Sequence, residues 1–336
     1  GKNNIIFAKN AFQAILRFSQ CFILVGDFSS FFDNLEHQYL KKKMCEVLGV
    51  DRLPPDYFSV FKNITRFSSW DWKAIVNAAG EKITERGIRT KLNQKDTILT
   101  KEQFQKNKTD IQKNVSGIGI PQGSPISAVL SNIYMISFDQ DIKHYVTSKN
   151  GIYMRYSDDF ILILPYENDT EILDYIHFIF SYIDSMEGLI KLQKEKTSFY
   201  VYKNKVIYKK EMPSNKDEIV GEDEKPSYID YLGFLFDGKS VKIRPRSITK
   251  YYYRMRRKAH TIGRNHWISP KGRHISAKKL YSIYSHNDKK HQTFIDYVKK
   301  AKGKERLVYN DPEADALIKR HKHKIAMAIK EGEQGK

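Results

Sequence analysis

Cys21 to Val25 is an apolar run that ends at Gly26-Asp27, and residues 151 to 164 hold two short apolar and aromatic runs around Ser157-Asp158-Asp159. The first reads as a buried strand and the second as a β-hairpin. Each acid then sits where a strand meets a turn, with its backbone held and its side chain at an edge. Taken singly, Asp27 is an ordinary turn or capping residue, and Asp158-Asp159 an ordinary acidic turn. Taken together they ask for more. Carboxylates gathered at one edge repel, and a cation in the gap relieves that cost. Hard oxygen ligands select magnesium or manganese over zinc. Two such ions, about 3.5–4 Å apart, stabilise both attacking and leaving oxygens in phosphoryl transfer.

Between the two acidic segments lies Gly119-Ile120-Pro121-Gln122-Gly123-Ser124-Pro125-Ile126-Ser127. Gly and Pro fix a tight backbone, and small residues let a nucleotide or base approach closely. Ser124 as cap and Pro125 in the first turn open a helix whose apolar positions recur through about Tyr145. Its N-terminal amides face the loop, a good place for phosphate or a polar base edge. A plain strand-to-helix turn explains the Pro and Gly but gives no reason for Gln122.

The remaining pattern mixes strands and helices without regular alternation, so the fold class is α+β. Asp33 is expected to cap a helix that stops at Gly49, and a shorter helix follows Pro54-Pro55. Residues 68 to 116 read as short helices and loops. A helix is expected from Asp169 to Met186, strands at 198 to 208 and at Tyr231 to Phe236, and a charged loop over 211 to 227. Helices are expected at Ile248 to Ile262, from Ser276 onward, and from an Asp311 cap to about Gly332.

Charge is placed unevenly. The chain carries 58 Lys plus Arg against 39 Asp plus Glu, and 27 of the former but only 8 of the latter lie from Lys239 to the end. The first 238 residues are therefore neutral, and the last third is the arm that would grip a polyanion. Its core runs through Arg244, Arg246, Lys250, Arg254, Arg256, Arg257 and Lys258, interleaved with Tyr251, Tyr252 and Tyr253. Arg264, Lys271, Arg273, Lys278 and Lys279 extend it, and Lys319 to Lys324 forms a second cluster. Two cysteines give no disulfide framework and no zinc site. No apolar run reaches membrane-spanning length, and no signal peptide is seen, so a cytoplasmic protein with no membrane partner is expected.

The residues now on the page resemble a known family. Asp27 through His37 (DFSSFFDNLEH) is similar to motif A of bacterial reverse transcriptases, especially those related to group II intron proteins. Ile120 through Asn132 (IPQGSPISAVLSN) resembles their motif B, and Tyr156-Ser157-Asp158-Asp159 their motif C. Leu192 to Thr197 (LQKEKT) is similar to motif D, and Tyr231-Leu232-Gly233-Phe234 to motif E. The resemblance implies a right-hand polymerase palm with partial fingers over residues 1–240, an antiparallel sheet backed by helices. A basic, mostly helical thumb follows over 241–336. It implies that Asp27 and Asp158 bind two Mg2+ (or Mn2+) ions, with Asp159 assisting and the Phe28 carbonyl completing a shell. Phe32 takes the steric-gate position against a ribose 2′-hydroxyl. Gln122 and Gly123 position template base and incoming nucleotide, and Tyr156 supports the primer end. Lys196 lies near the leaving pyrophosphate, and Leu232, Gly233 and Phe234 form the primer grip. The implied partners are an RNA template, a DNA primer and product, and deoxynucleoside triphosphates; the oligomeric state stays open.

The motif B wording is most like that of stand-alone, defence-associated bacterial enzymes, which implies antiphage defence and a structured non-coding RNA. The departures are a long motif A to B spacing, a long D to E loop, and only 26 residues before Asp27, so whether the fingers strands lie upstream of residue 1 stays open. Three other readings are carried: an RNA-dependent RNA polymerase, untemplated or protein-primed DNA synthesis on the same palm, and a non-catalytic RNA-binding module.

Overall fold

The computed structural model describes residues 3–85, 87–186, 188–211, 222–268, 272, 274–285, 293–302 and 310–335. Asn3 caps the first helix, α1 (Asn4–Ile15), and the apolar run after it forms β1 (Gln20–Asp27). A 3-10 turn (Phe31–Asp33) precedes α2 (His37–Leu48). Asp33 does not cap that helix. Phe31 and Leu35 are both buried, and seating them takes an extra turn of chain. Glu36 then becomes the cap, accepting from the Gln38 and Tyr39 amides. Gly49 stops α2 in the left-handed region, as expected.

α3 (Pro55–Thr65) has Pro55 at its first position. A two-stranded ribbon, β2 (Ser68–Ser69) with β3 (Gln112–Lys113), brackets α4 (Trp72–Ala78), α5 (Ile88–Leu92) and α6 (Lys101–Asn107). α4 and α5 share a small core of Val76, Ile88 and Leu92. The long helix expected after Ser124 is two, α7 (Pro125–Tyr134) and α8 (Ile136–Ser148). The break falls at Met135, whose backbone leaves the helical region at φ −88° and ψ 1°.

A hairpin of β4 (Ile152–Tyr156) and β5 (Asp159–Leu164) leads to α9 (Asp169–Ser185). Each of the next two expected strands is a hairpin. β6 (Ser198–Lys203) turns at Asn204-Lys205, φ 53° and 60°, into β7 (Val206–Lys210). β8 (Glu222–Pro226) pairs with β7 inside the expected loop, of which 212–221 lie outside the described residues. β9 (Ile229–Tyr231) turns at Leu232-Gly233, φ 50° and 90°, into β10 (Phe234–Phe236), which pairs with β11 (Val241–Ile243). Two positive φ values in a two-residue loop match the right-handed twist of the flanking strands. The basic region holds α10 (Pro245–Arg264), α11 (Ala277–Tyr284), α12 (Phe294–Lys302) and α13 (Pro312–Glu333). Lys271 and Arg273 lie outside the described residues.

The chain divides into two compact units. One comprises Gly1–Asp27, Lys143–Phe178 and Lys194–Lys336; the other comprises Phe28–Ile142 and Ile179–Gln193. The first contains a six-stranded sheet in the order β4-β5-β1-β6-β7-β8, antiparallel throughout. Alternation along β1 divides its side chains. Cys21, Ile23 and Val25 join a core with α1 and the helices of the basic region, while Phe22 packs on Phe199 and Tyr175. Gly26 is opposite Phe160, whose ring lies where a Cβ would be, 2.3 Å from its Cζ. A side chain at position 26 would push that ring out and disturb the strand end carrying Asp27.

α10 and α13 pack against each other along their length. Gly263 and Gly332 make the crossing close: a Cβ on Gly263 would stand 2.1 Å from the Ile329 carbonyl oxygen, and one on Gly332 would stand 2.2 Å from that of His260. Asp311 ties α13 down, accepting from Ala314 N at its own cap and from Ile243 N of β11 at 2.7 Å. Among the described residues, no helix is long and apolar enough to cross a membrane.

Candidate active site

Sheet register brings the acids together. Asp27, last in β1, is directly opposite Asp159, first in β5. Opposed residues in an antiparallel pair project to the same face, with Cβ atoms roughly 4.5–5.5 Å apart. Asp158 is the second residue of the two-residue loop between Tyr156 and Asp159, whose first residue, Ser157, is held at φ 61°. Positive φ is uncommon for Ser, and such backbone persists where its surroundings over-determine it. Here the Arg155 guanidinium donates to the Ser157 carbonyl at 2.6 Å.

Asp27 is 7% exposed. Its Oδ2 accepts from Lys196 Nζ at 2.6 Å, and its Oδ1 is buried with no hydrogen-bond partner. Burial, then the charges of Asp158 and Asp27, push the Asp159 carboxyl up to about 6, against opposing pulls from Arg244 and Lys196. Lys196 is raised, first by its hydrogen bond to Asp27. Three carboxylates thus feel one another at one sheet end, with a lysine ammonium against the most buried of them. Among the described residues, no three Asp, Glu, His or Cys side chains converge closely enough to cage an ion as they lie. The donor set is all oxygen and one buried carboxylate oxygen is unsatisfied, so the residues fit a hard divalent cation.

The hairpin expected to grip the primer is in the same unit. The Leu232 carbonyl accepts from Asn4 Nδ2 at 3.1 Å, and that of Gly233 from Arg244 N at 2.9 Å. Phe234 is buried against Tyr297. Tyr156 packs edge-on to Phe7, ring centroids 5.2 Å apart. Arg244 is not free for phosphate: its Nε donates to Asp230 Oδ1 at 2.8 Å. Arg256 pairs with Glu331 at 3.0 Å across the α10–α13 seam. Arg246, Lys250, Arg254, Arg257 and Lys258 are exposed on α10, and Arg257 lies over the Tyr253 ring.

Phe28, Phe32, Gln122 and Gly123 belong to the second unit. Phe28 is buried, bridges to Leu192 and packs on Phe31 and Phe138. The Phe32 carbonyl accepts from Ile120 N at 2.8 Å, tying the steric-gate segment to the loop that presents Gln122 and Gly123, both exposed. Ser124 caps α7 by position without a side-chain bond; Ser127 Oγ instead donates to the Pro121 carbonyl at 2.6 Å. Sequence reasoning missed Asp230, the partner of Arg244, and assigned no role to Tyr231 of the quoted motif E, whose hydroxyl is buried, unpartnered and under the influence of Asp159. Nothing local in the sequence marks Tyr231 as a neighbour of Asp159 or Asp230 as the partner of Arg244.

An antiparallel sheet backed by helices, with acids at the end of its central strand and in the adjoining hairpin, is a polymerase palm. The sequence matches the family described as "Reverse transcriptase (RNA-dependent DNA polymerase)" over residues 13–236, and the chain belongs to it. It therefore carries the catalytic domain of RNA-directed DNA polymerases. No curated protein matches it. Among solved structures it is similar to apo telomerase from Candida tropicalis truncated from the C-terminal domain, at 14% identity and TM-score 0.38, over 72% of this chain and 40% of that one. It is similar also to telomerase from Candida albicans with a TWJ fragment of telomeric RNA, at 17% identity and TM-score 0.37, over 76% and 38%. A third is telomerase from Candida tropicalis with the same kind of fragment, at 13% identity and TM-score 0.41, over 100% and 44%. The chain spans roughly two-fifths of the length of these structures. These likenesses are distant, and family membership rests on the sequence match alone.

Proposed function

We propose that the protein copies an RNA template into DNA from deoxynucleoside triphosphates. The observation that carries this is the facing pair Asp27 and Asp159, with Asp158 beside them, in a chain of this family. Asp27 and Asp158 would hold divalent cations, Mg2+ or Mn2+, with Asp159 and the Phe28 carbonyl assisting. Bound there, the ions would supply charge stabilisation for phosphoryl transfer. Lys196 would serve the leaving pyrophosphate as charge stabiliser or proton donor. Leu232 and Gly233 offer a braced turn for the primer end. Residues 1–240 would act as palm with partial fingers, and 241–336 as a basic thumb following the duplex.

The motif B wording favours a stand-alone bacterial enzyme, and with it a structured non-coding RNA template, a defence role and a cytoplasmic setting. The test is incorporation of deoxynucleotides on an annealed RNA template and DNA primer. Product should require the RNA, all four deoxynucleotides and a divalent cation. Synthesis that continued without RNA would sink the templated reading.

Phe32 sets the expected sugar preference. Phe32→Ala should raise ribonucleotide incorporation relative to deoxynucleotide by at least tenfold, as expected when a clash worth ~1.4 kcal/mol or more is removed. Unchanged discrimination would remove Phe32 from the gate.

Lys196 stands against Asp27 where a cation would bind. Lys196→Met should therefore tighten Mn2+ binding by roughly fivefold, the equivalent of an ion pair worth about 1 kcal/mol. Titration of free Mn2+ by electron paramagnetic resonance reads this without turnover. Equal affinities would mean the lysine does not compete for the carboxylate.

A further inference from the structure

The second unit contains a groove of about 740 Å³ that the palm chemistry does not use. It lies between the start of α2, the length of α3 and the segment from β3 to Gly117. Its frame is pre-formed. His37 N donates to the Gly117 carbonyl at 2.9 Å, Asn114 N to that of Phe67 at 2.9 Å, and Asn114 Nδ2 to that of Thr65 at 3.1 Å. One strand of backbone thus fastens to both helical walls.

Two kinds of group face into this groove. Lys41, Lys62, Arg66 and Lys113 are cations, and none of them forms an ion pair among the described residues. The acid of the lining is Glu36, and both its oxygens are engaged by amides of α2. The apolar groups are just as exposed. Phe58 is 42% and Val115 89% accessible, and Lys41 Nζ lies over the Phe58 ring at 5.4 Å. Unpaired cations beside exposed aromatic and aliphatic faces suit a chain of phosphates with unstacked bases. A duplex keeps its bases stacked and would leave the apolar faces bare. An acidic peptide would satisfy the cations and likewise leave Phe58 and Val115 in water.

We propose that this groove is a second nucleic-acid site, which holds a single-stranded segment of the RNA through Lys62, Arg66 and Lys113 on phosphates and Phe58 under a base. The choice of RNA rests on the reading of the chain as an RNA-copying polymerase. The groove is separate in sequence from the basic region after residue 240, so the enzyme has two independent holds on nucleic acid, one selective for unpaired strand.

The test uses the full chain and a short unstructured single-stranded RNA with a fluorescent end label. Binding is followed by anisotropy from 50 to 200 mM salt. Lys62→Gln/Arg66→Gln/Lys113→Gln should make the slope of log affinity against log salt shallower by about 2, at roughly 0.7 per phosphate contact. Lys82→Gln/Lys106→Gln/Lys108→Gln removes three exposed cations elsewhere in the second unit and should leave the slope in place. Phe58→Ala should weaken binding at fixed salt by about fivefold or more, the worth of one stacked base. All the substituted side chains are exposed, and unchanged circular dichroism melting confirms folding. Equal slope losses in both triple variants would overturn the proposal, because the effect would then be diffuse charge. So would an equal loss for duplex RNA. Primer extension by the unsubstituted chain separates the two readings. Extension with an unaltered groove slope defeats the groove alone, whereas no extension with a shallower slope defeats the polymerase reading and leaves an RNA-binding groove.

Discussion

Asp158→Ala is expected to lower RNA-templated primer extension by about 10³-fold or more while leaving the fold and RNA affinity intact. The residue is in a two-residue hairpin loop, partly exposed, where removing a carboxylate opens no core cavity. Its loss leaves Asp27 and Asp159 to hold a divalent cation with one charge fewer, in a reaction whose acceleration comes mostly from positioning and charge stabilisation. Loss of a single preorganised charge-stabilising group costs about 10²–10³ in kcat in comparable sites, and loss of a metal ligand removes more than one such interaction. Initial rates on a fixed primer–template give the ratio, and anisotropy on the same complex gives affinity. An Asp158→Ala enzyme within tenfold of the unsubstituted one would mean the hairpin acid is not part of the chemistry.

The second large effect is on stability. Gly263→Val should destabilise the protein by about 3 kcal/mol or more, because a Cβ there meets the Ile329 backbone at 2.1 Å and a carbonyl cannot rotate away as a side chain can. The helix pair must either separate, exposing Met255, Ala259 and Ile262 of the core, or slide and break the Arg256–Glu331 and Trp267–Glu333 contacts. The thermal midpoint should fall by roughly 6–12 °C, taking 2–4 °C per kcal/mol for a domain of this size. Arg264→Ala, exposed on the same turn, should shift it by less than about 2 °C. A Gly263→Val protein with an unchanged midpoint would show that the two helices are not in close contact in solution.

The candidate acids were legible in the sequence because each ends an apolar run whose period and length declare a buried strand. Their pairing was not. That Asp27 faces Asp159 depends on the β1–β5 register, which is set across more than a hundred residues of chain. The sequence pattern runs each of the β6–β7 and β9–β10 hairpins together as one strand because only one of its two turn positions holds the usual residue: Leu232 takes φ 50° and Lys205 φ 60°, conformations that glycine or asparagine normally announce. The helix after Ser124 was extended too far because its apolar spacing stays in phase across Met135. The break is in the backbone at Met135, φ −88° and ψ 1°, which side-chain periodicity does not register. The basic helix α10 was legible as a helix, but the destination of its charges was not. Arg256 is claimed by Glu331, some seventy-five residues later, and Arg244 by Asp230 in the adjoining hairpin. The groove beside α3 had no sequence signature at all, since its cations come from α2, α3 and β3 and meet only in the fold.

Anomalous scattering from a manganese-soaked crystal of the full chain tests the account at its root. A peak bonded to oxygens of both Asp27 and Asp158, at metal–oxygen distances of about 2.0–2.3 Å, is the predicted result, with Lys196 Nζ displaced from Asp27. Manganese elsewhere only, with the Lys196–Asp27 contact kept at saturating metal, would contradict it.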